Sequence, residues 1–332
     1  MADMEDPAFG KHEQRFLNVE TLGTGAFGSV RLVHDKATKK LLALKSLKRR
    51  NINKYLESEI VNHSLLRHPH VIQFREVFLT QEHVCILMEY ANGGSLFDLV
   101  RTQKRLKETQ ARWFFQQLIL ALDYCHRRGV ANRDIKLENC LLQNEDGLPH
   151  PLLKICDFGY SKADFRSAAK SQVGTLSYMA PEVVKSGGTM YDAKQADIWS
   201  AGVVLYIMLY GKYPYDLEDD ADISPSNRSQ MMLERMEQEK YPLPSSVLLS
   251  TDCTDFIRRL LKPNPQQRLT LEGVLQHPWF LKKLPPHAQE MNDYYFNLPM
   301  PDEHQRPEQI RQLLQRARRE NSMQVAPPLG PH

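Results

Sequence analysis

Hydrophobic and polar residues alternate along residues 16–90, and this period of two predicts β-strands. The alternation is clearest in three pairs of residues: Leu17 and Val19, Val30 and Leu32, and Leu42 and Leu44. Residues 54–66 differ, because Leu56, Ile60 and Leu65 lie at spacings typical of a helix, with charged residues between them. The pattern therefore predicts a strand-rich first part of the chain that contains one helix.

The rest of the chain shows the spacing of helices. The longest predicted helix covers residues 108–128, and Gly129 follows it as a C-terminal cap. Residues 199–210 are mostly apolar but too few to span a bilayer, so they predict a buried helix. Residues 307–319 predict an amphipathic helix that has Pro307 in its first turn. Its apolar face consists of Ile310, Leu313, Leu314 and Ala317.

Composition narrows the class of protein. A length of 332 residues is enough for about two units with substantial cores, and 42% of the residues are apolar. The net charge of +3 arises from 43 basic and 40 acidic residues, which predicts neither a nucleic-acid partner nor a membrane partner. The acidic first six residues do not resemble a signal peptide. Five scattered cysteines without a Cys-x-x-Cys pair indicate reduced thiols, and we expect a cytoplasmic or nuclear protein, or one found in both.

Polar residues that suit phosphate chemistry are concentrated in residues 130–139, which read Val-Ala-Asn-Arg-Asp-Ile-Lys-Leu-Glu-Asn. The spacing of Asp134, Lys136 and Asn139 lets one short loop direct an acid, a cation and an amide into the same cleft. Asp157 lies eighteen residues after Asn139, on a turn made sharp by Gly159. Amide and carboxylate oxygens suit Mg²⁺ that is shared with phosphates, so Asn139 and Asp157 are candidate metal ligands.

A glycine-rich segment occurs between the first two predicted strands. Gly23, Gly25 and Gly28 are spaced so that a hairpin can bring its backbone N–H groups close to phosphate oxygens, with Phe27 at the tip. A dinucleotide-binding turn has similar letters, but there the last glycine opens a helix, whereas here the chain continues as a strand. A hairpin with a purely structural role remains an alternative for this segment taken alone.

A lysine and a glutamate follow this segment in an order that favours a functional pair. Lys45 lies on the third predicted strand, and Glu59 comes fourteen residues later in the predicted helix. A lysine buried in a cleft needs an acidic partner, because an unpaired buried charge is costly. Paired with Glu59, Lys45 would keep its ammonium group charged and available to phosphate oxygens. The alternative for any such pair is a surface salt bridge.

Taken in order, these motifs resemble those of the eukaryotic protein kinases over residues 16–280. The finer resemblance is to plant and algal sucrose-nonfermenting-related kinases of the osmotic-stress and abscisic-acid subclass. It is carried by residues 59–63, 114–118, 123–126, 136–139 and 154–162.

This resemblance implies an α+β, bilobal protein-kinase fold. A small antiparallel β-sheet lobe would cover residues 16–90, and a large, mainly helical lobe would cover residues 91–280. An N-terminal extension would cover residues 1–15. A regulatory tail would cover residues 281–332, with its amphipathic helix at about 307–319 packed beside the helix of Glu59. Arg268 is the expected partner of Glu182, and Asp197 is the expected anchor of the 130–139 loop.

The implied activity is ATP-dependent phosphorylation of protein serine and threonine residues, in stress or nutrient signalling. Asp134 would accept or orient the proton of the hydroxyl, Lys136 would neutralise the transferred group, and Thr175 would hydrogen-bond both. The implied cofactors are ATP and Mg²⁺, with Mn²⁺ as a substitute. The resemblance assigns twelve residues to the ATP site: Leu22, Gly23, Gly25, Phe27, Gly28, Val30, Ala43, Lys45, Met88, Glu89, Ala91 and Leu141.

The resemblance also implies regulation by phosphorylation. Ser171 lies where this subclass is phosphorylated for activation, and Ser167 is a second candidate. The phosphate would pair with Arg133 and Lys162 and order the segment. An ordinary loop serine is the alternative at Ser171. The implied partners are protein substrates, an upstream kinase and a phosphatase.

Two positions depart from the kinase pattern. Asn132 opens the 130–139 loop where kinases have His or Tyr, and as a small polar residue it needs hydrogen bonds of its own. We expect lowered activity or altered activation; the alternative is a pseudokinase scaffold that binds nucleotide without transferring phosphate. Ser95 replaces a common glutamate, which weakens the expected preference for Arg three residues before the acceptor.

Overall fold

The alternating segments at the start of the chain form one five-stranded antiparallel sheet in the computed structural model, in the order β1-β2-β3-β5-β4. Its strands are β1 (Phe16–Gly25), β2 (Gly28–Asp35), β3 (Lys40–Lys48), β4 (Phe74–Leu79) and β5 (His83–Glu89). The structure describes residues 14–25, 28–158, 176–187, 190–216 and 224–324. Two units divide the chain: unit 1 is Met1–Arg67, Ile72–Tyr90 and Pro299–His332, and unit 2 is His68–Val71 and Ala91–Leu298.

One hydrophobic cluster of unit 1 is formed by residues of the sheet. This cluster consists of Phe16, Val33, Leu42, Leu44, Phe78, Cys85 and Leu87. The alternation in β1 correctly predicts a strand, but its buried residue is Phe16. Leu17 and Val19 are 51% and 53% exposed. A period of two predicts which residues share a face, and it does not say which face is covered.

The predicted helix in unit 1 is α1 (Lys54–Ser64). Asn53 caps its N-terminus, where the side-chain oxygen accepts from the backbone N–H groups of Tyr55 and Leu56 at 2.9 Å each. The helix ends two residues before the expected position. Leu65 is therefore outside it and 38% exposed, whereas the next residue, Leu66, is fully buried.

The tail helix belongs to unit 1 and is α11 (Pro307–Gln324), longer than the 307–319 expected from the sequence. Ile310, Leu314 and Ala317 are fully buried, and Leu313 is half-buried. The helix packs on α1, where the Glu57 carboxylate accepts from Gln315 at 3.2 Å and lies 3.6 Å from Arg318. These contacts confirm the packing that the family resemblance implied.

The segment before α11 pairs with strand β4. The Gln305 side chain accepts from the backbone N–H of Val77 at 2.8 Å and donates to the Val77 carbonyl at 3.1 Å. His304 hydrogen-bonds the carbonyl of Ser64 at 2.6 Å. Residues from the end of the chain thus contact both the sheet and the helix of unit 1.

Unit 2 contains most of the helices. In the described residues they are α2 (Leu96–Gln103), α3 (Glu108–Arg127), α4 (Pro181–Lys185), α5 (Ala193–Tyr210), α6 (Pro225–Glu237), α7 (Thr251–Leu260), α8 (Leu271–Gln276), α9 (Pro278–Leu281) and α10 (Glu290–Asn297). Helix α3 is the predicted long helix, and α5 contains the predicted buried helix of residues 199–210. Helix α5 ends at Gly211, whose φ is +71°. A Cβ on Gly211 would lie 2.0 Å from the carbonyl oxygen of Lys104, which requires glycine there. Over the described ranges, none of the helices is long and apolar enough to cross a bilayer.

A short hairpin in unit 2 pairs β6 (Cys140–Gln143) with β7 (Leu152–Ile155). Two buried histidines lie near this hairpin. His70 hydrogen-bonds the carbonyl of Leu153 at 2.9 Å, and His68 hydrogen-bonds the Asn292 side chain at 2.9 Å and stacks on Tyr124. The two histidines therefore lie in a buried turn. Nowhere in the described part of the chain do three His, Cys, Asp or Glu side chains form a metal-binding group.

A buried ion pair joins two distant parts of unit 2. The guanidinium of Arg268 donates to both Glu182 carboxylate oxygens, at 2.7 and 2.9 Å, and its side chain is fully buried. Arg268 also donates to the carbonyl of Gln195 at 2.8 Å and lies over the Trp199 ring, 5.0 Å from its centroid. This confirms the predicted pairing of Arg268 with Glu182. It also fixes the start of α4 against α5.

Candidate active site

Asp197 in helix α5 anchors the loop of residues 130–139, which we call the catalytic loop. One carboxylate oxygen of Asp197 accepts from the backbone N–H of Asn132 at 2.8 Å, and the other accepts from the N–H of Arg133 at 2.7 Å. His126 at the end of α3 also hydrogen-bonds Asp197, at 2.8 Å. Arg133 has a φ of +67°, so the anchor holds the loop in a strained backbone conformation.

Asn132 is fully buried and makes the hydrogen bonds that its polarity requires. Its side-chain oxygen accepts from the backbone N–H of Asp134 at 3.1 Å. Its side-chain nitrogen donates to the carbonyl of Asp157 at 3.3 Å. The residue that departs from the kinase pattern therefore links the catalytic loop to the turn that carries the second acid.

The three predicted polar groups of the catalytic loop converge on the carboxylate of Asp134. The ammonium of Lys136 donates to both Asp134 oxygens, at 3.1 and 2.8 Å. The side-chain nitrogen of Asn139 donates to one of these oxygens at 2.7 Å and to the Asp134 carbonyl at 2.9 Å. The sequence spacing therefore correctly predicts that an acid, a cation and an amide come together.

The charges of this cluster shift one another's pKa values. Burial raises the pKa of Asp134 above its ordinary value, against the opposing effects of Lys136 and Asn139, and the charge of Asp157 raises it further. Burial alone would lower the pKa of Lys136, but the neighbouring Asp134 outweighs it and the net shift is upward. Asp134 is thus more basic than an exposed aspartate, while Lys136 keeps its positive charge.

The β6–β7 hairpin brings the candidate metal ligands near each other in the fold. Asn139 directly precedes β6, Asp157 follows β7 by two residues, and the N–H of Cys156 donates to the Asn139 carbonyl at 2.9 Å. The Asn139 side-chain nitrogen already donates to Asp134, so the atom suited to bind a metal is its amide oxygen. An amide oxygen and a carboxylate fit Mg²⁺, which commonly takes one or two protein ligands and completes its shell with phosphate and water.

In unit 1, the strand register places four of the candidate ATP-site residues on one face of the sheet. Val30 on β2 lies opposite Lys45 on β3, and Ala43 on β3 lies opposite Met88 on β5. Side chains two residues apart on a strand share a face, so Ala43 and Lys45 lie on the same side. Glu89 follows Met88 on the opposite face, and its backbone N–H donates to the Gln73 carbonyl at 2.9 Å.

The glycines of the β1–β2 hairpin have two different explanations. A Cβ on Gly28 would lie 1.8 Å from the carbonyl oxygen of Ser46, so close strand packing requires glycine there. A Cβ on Gly23 would meet no atom within 4 Å, so packing does not require glycine there. The sequence-based assignment of Gly23 to phosphate binding therefore has no competing packing explanation at this position. Leu22 is 40% exposed, and Gly25 ends β1.

Lys45 and Glu59 are both buried within unit 1, each 9% exposed. Lys45 is on β3 and Glu59 is on α1. A buried charge requires an opposite charge or hydrogen bonds in direct contact with it. Their predicted pairing stays a proposal.

The remaining predicted site residues are distributed as follows. Ala91 and Leu141 belong to unit 2, where Ala91 is buried and Leu141 is half-buried. Arg133 is exposed. The predictions for Phe27, Gly159, Lys162, Ser167, Ser171 and Thr175 lie outside the described residues.

Reasoning from the sequence did not predict some contacts that support the site. His126 shares the carboxylate of Asp197 with the catalytic loop, although the two residues are 71 positions apart. Gly93 packs on β6, where its N–H donates to the Leu142 carbonyl at 2.7 Å and a Cβ would lie 2.7 Å from that oxygen. The glycine letters were visible in the sequence, but nothing local identifies the strand they contact.

Comparison with known proteins agrees with this geometry. Residues 16–280 match the protein kinase domain family. The chain is 47% identical over 269 residues to serine/threonine-protein kinase SRK2G of Arabidopsis thaliana, which covers 80% of this chain and 73% of SRK2G. It is 43% identical over 320 residues to serine/threonine-protein kinase SAPK3 of Oryza sativa subsp. japonica, covering 95% and 92% of the two chains. Serine/threonine-protein kinase SRK2A of Physcomitrium patens is 41% identical over 318 residues, covering 95% and 88%. The chain belongs to the protein kinase family, and the predicted likeness to plant serine/threonine kinases is confirmed.

Proposed function

We propose that this chain is an active kinase that transfers the terminal phosphoryl group of ATP to serine or threonine residues of proteins. The observation that carries the proposal is the convergence of Lys136 and Asn139 on the carboxylate of Asp134. The names of SRK2G and SAPK3 give the same acceptor class for those proteins. A role in stress or nutrient signalling follows from the same likeness.

In this proposal Asp134 acts on the acceptor hydroxyl. Its carboxylate, made more basic by burial, accepts or orients the hydroxyl proton, a role worth about 10²–10⁴-fold in rate. Lys136 stays charged and neutralises the transferred group. Thr175 hydrogen-bonds Asp134 and Lys136 from the segment that receives the substrate.

The proposal assigns the nucleotide to the residues that the sequence pattern singled out. Val30, Ala43 and Leu141 contact the adenine ring, and Met88 limits how deeply it enters. The Glu89 N–H is used by Gln73, so the carbonyl of Glu89 and the backbone of Ala91 are assigned to the adenine edge.

The glycine hairpin and the Lys45–Glu59 pair are assigned to the phosphates. The hairpin contributes Leu22, Gly23, Gly25, Phe27 and Gly28. Lys45 contacts the phosphates and is held in place by Glu59.

Asn139 and Asp157 are the residues assigned to the metal. Two Mg²⁺ ions, or Mn²⁺ in their place, would draw negative charge from the phosphates when bound. Asp134 holds the Asn139 side-chain nitrogen, which leaves the amide oxygen for the metal. The hydrogen bond from Asn132 to the Asp157 carbonyl steadies the second ligand.

Regulation is assigned to the segment before residue 176. Phosphate on Ser171, with Ser167 as the second position, pairs with Arg133 and Lys162 and orders that segment. An upstream kinase and a phosphatase are the partners that this switch requires. Helix α11 supports α1, and therefore Glu59, in the active arrangement. A cytoplasmic or nuclear location, or both, agrees with five cysteines of which none forms a disulfide.

The pseudokinase alternative gains no support from Asn132. Both ends of its side-chain amide are hydrogen-bonded, and it occupies none of the positions assigned to ATP, metal or acceptor. All the assigned transfer groups are present in the sequence: Lys45, Glu59, Asp134, Lys136, Asn139 and Asp157.

The test is phosphorylation of a general protein substrate with labelled ATP and Mg²⁺ by the parent, Asp134→Asn and Lys45→Met. We expect turnover by the parent and a loss of at least about a hundredfold in Asp134→Asn. Nucleotide binding by a fluorescent ATP analogue is measured in parallel. If the parent bound the nucleotide but showed no more turnover than Asp134→Asn, the chain would be a nucleotide-binding scaffold instead.

A further inference from the structure

Basic residues are concentrated on one surface of unit 1. Residues 48–57 contain four basic residues and one acidic residue, and residues 316–320 contain three and one. The fold brings the two ranges together, because the 3₁₀ helix Arg49–Asn51 packs against helix α11 and Arg49 forms an ion pair with Glu320. We call the two ranges the basic patch. Its cations are Lys48, Arg49, Arg50, Lys54, Arg316, Arg318 and Arg319, and its acids are Glu57 and Glu320.

Both acids of the basic patch already have cationic partners within it. Arg316, at 2.8 Å, and Arg49 share the carboxylate of Glu320, and their hydrogen bonds lower its pKa. The carboxylate of Glu57 lies 3.6 Å from Arg318. The other four cations are exposed and form no ion pair within the described part of the chain. They are Lys48, Arg50, Lys54 and Arg319.

The net charge of the basic patch exceeds that of the whole chain. Its seven cations and two anions give +5, whereas the chain carries +3, so all the other residues together carry −2. Like charges this close repel one another, which makes the cluster unfavourable for the folded chain on its own. An anionic partner would remove this repulsion. The alternative is a solvated surface that binds nothing.

The side chains of the basic patch favour an acidic protein segment as its partner. Five of the seven cations are arginines, whose guanidinium groups bind carboxylates through two hydrogen bonds at once. A membrane-binding surface also needs apolar side chains that enter the bilayer, and a surface for single strands needs aromatic rings on which bases stack. Over residues 48–64 and the described side chains of α11, Tyr55 is the only large apolar side chain that is exposed.

We propose that the basic patch is a docking surface for an acidic segment of a protein partner, rich in Asp and Glu. The carboxylates of this segment pair with the four exposed cations. Because these cations belong to residues 48–54 and to α11, a segment bound to both holds α11 against the start of α1. Docking at this surface goes beyond the phosphoryl transfer proposed above, and it requires no turnover.

The experiment measures binding of a fluorescent poly-glutamate peptide to the full chain. The test variant is Arg50→Gln with Lys54→Gln and Arg319→Gln, which removes three of the four exposed cations. A conservative variant, Arg50→Lys with Lys54→Arg and Arg319→Lys, keeps all three charges. Urea unfolding of each variant checks that the fold is retained.

A matched control removes the same number of charges from another part of unit 1. It is Lys36→Gln with Lys40→Gln and Arg75→Gln, at three exposed positions on or beside the sheet. The net charge of the control therefore equals that of the test variant. A single-stranded oligonucleotide and phosphatidylserine vesicles are measured as alternative probes.

We expect poly-glutamate to bind the parent, the control and the conservative variant alike, and salt to weaken this binding. Each cation lost from the patch should lower the affinity about 1.4- to fivefold, so the test variant should bind at least about threefold more weakly. The peptide should also slow hydrogen exchange over residues 49–64 in the parent. At the same peptide concentration, the test variant should show less of this protection.

Four results would overturn the proposal: no binding of poly-glutamate to the parent, parental affinity in the test variant, an equal loss in the control, or tighter patch-dependent binding of the oligonucleotide or the vesicles. The last result would assign the surface to a nucleic acid or a membrane. Failure of the kinase function would look different, because the parent would then show no turnover above Asp134→Asn while its binding of poly-glutamate still depended on the basic patch.

Discussion

The side-chain nitrogen of Asn132 donates a hydrogen bond to the main-chain carbonyl of Asp157, at 3.3 Å. The same side chain accepts from the N–H of Asp134 at 3.1 Å. One amide thus holds together the residue assigned to the acceptor proton and a residue assigned to the metal. Where most kinases use a ring at this position, this chain uses two hydrogen bonds.

Asn132→Leu should lower both stability and activity, because it keeps the volume and removes both hydrogen bonds. Loss of the two hydrogen bonds at the fully buried Asn132 position should cost about 1 to 3 kcal/mol in the free energy of unfolding. Displacement of Asp134 and Asp157 should lower kcat by at least about tenfold. Urea unfolding and steady-state kinetics measure these effects.

Asn297→Leu is the matched control for this change. Its side chain donates to the Asp293 carbonyl on the exposed surface of α10, and we expect a change of less than about 0.5 kcal/mol. Equal losses in the two variants would show that the Asn132 bonds contribute nothing specific.

The tail helix should stabilise α1 through its buried residues. Leu314→Ala removes a fully buried side chain and should cost about 2 to 5 kcal/mol, whereas Leu313→Ala, at a half-buried position, should cost much less. If α11 supports Glu59, Leu314→Ala should also lower kinase activity. Hydrogen exchange over residues 54–64 checks the link, since faster exchange there in Leu314→Ala alone is expected. If Leu314→Ala left both the exchange over residues 54–64 and the kinase activity unchanged, helix α11 would not have the proposed supporting role.

Two buried histidines should make unit 2 less stable as the pH falls. Burial lowers the pKa of His68 to about 3 and that of His70 to about 4, whereas in the unfolded chain both lie near 6.5. At pH values between the folded and unfolded pKa values, the unfolded chain binds more protons than the folded chain. The stabilisation given by the two neutral histidines is therefore present above about pH 6.5 and is lost as the pH falls. Each histidine should account for a loss of about 2 kcal/mol between pH 8 and pH 5.

Substitution of one of these histidines tests the origin of the pH dependence. His68→Gln should lose about 2 kcal/mol less than the parent between pH 8 and pH 5 in urea unfolding. His287→Gln, at a side chain that is 84% exposed, should follow the parent. A parental slope in His68→Gln would rule out its ionisation as a cause.

Ser171→Ala should block activation without preventing nucleotide binding. Pairing of a phosphate with Arg133 and Lys162 is expected to order the segment that precedes Leu176, and alanine cannot carry the phosphate. Treatment with a cellular extract that activates the parent, followed by repurification and assay, measures the effect. Ser167→Ala serves as the comparison. A Ser171→Ala protein as active as the activated parent would leave Ser171 as an ordinary loop serine.

Local spacing explains why part of the site was predictable from the sequence. Asp134, Lys136 and Asn139 lie within six residues, so any tight loop brings them together, and their contacts are confirmed. The strands were predictable as strands, because their period of two is a local property. The buried face of β1 was not, since Phe16 and Leu17 are both apolar and only the position of β4 and β5 decides between them.

Helix ends were less predictable than helices. Helix α11 continues to Gln324, and the pair Arg316–Glu320 at 2.8 Å shows an i,i+4 contact that stabilises the added turn. Helix α1 ends early, because the N–H groups of Leu65 and Leu66 bond three residues back, to Asn62 and His63, and tighten its last turn.

Contacts between distant residues had no sequence signal. His68 and Asn292 are 224 positions apart, and Ser177 and Asp216 are 39 apart. Each contact depends on how whole elements pack. None of these four residues has a local sequence that distinguishes it from an ordinary surface residue. The pairing of Arg268 with Glu182 was expected only because the motifs resembled a family.

Strand β4 is an edge strand of its sheet. There the side-chain amide of Gln305 hydrogen-bonds both the N–H and the carbonyl of Val77. The Gln305 amide makes the hydrogen bonds that a neighbouring strand would make, but it presents no further row of backbone donors and acceptors. The chain thereby blocks a surface on which another molecule could add a strand and begin to aggregate. A fragment that stopped at residue 280 would lose this protection, so preparations limited to the kinase domain should self-associate more readily than the full chain.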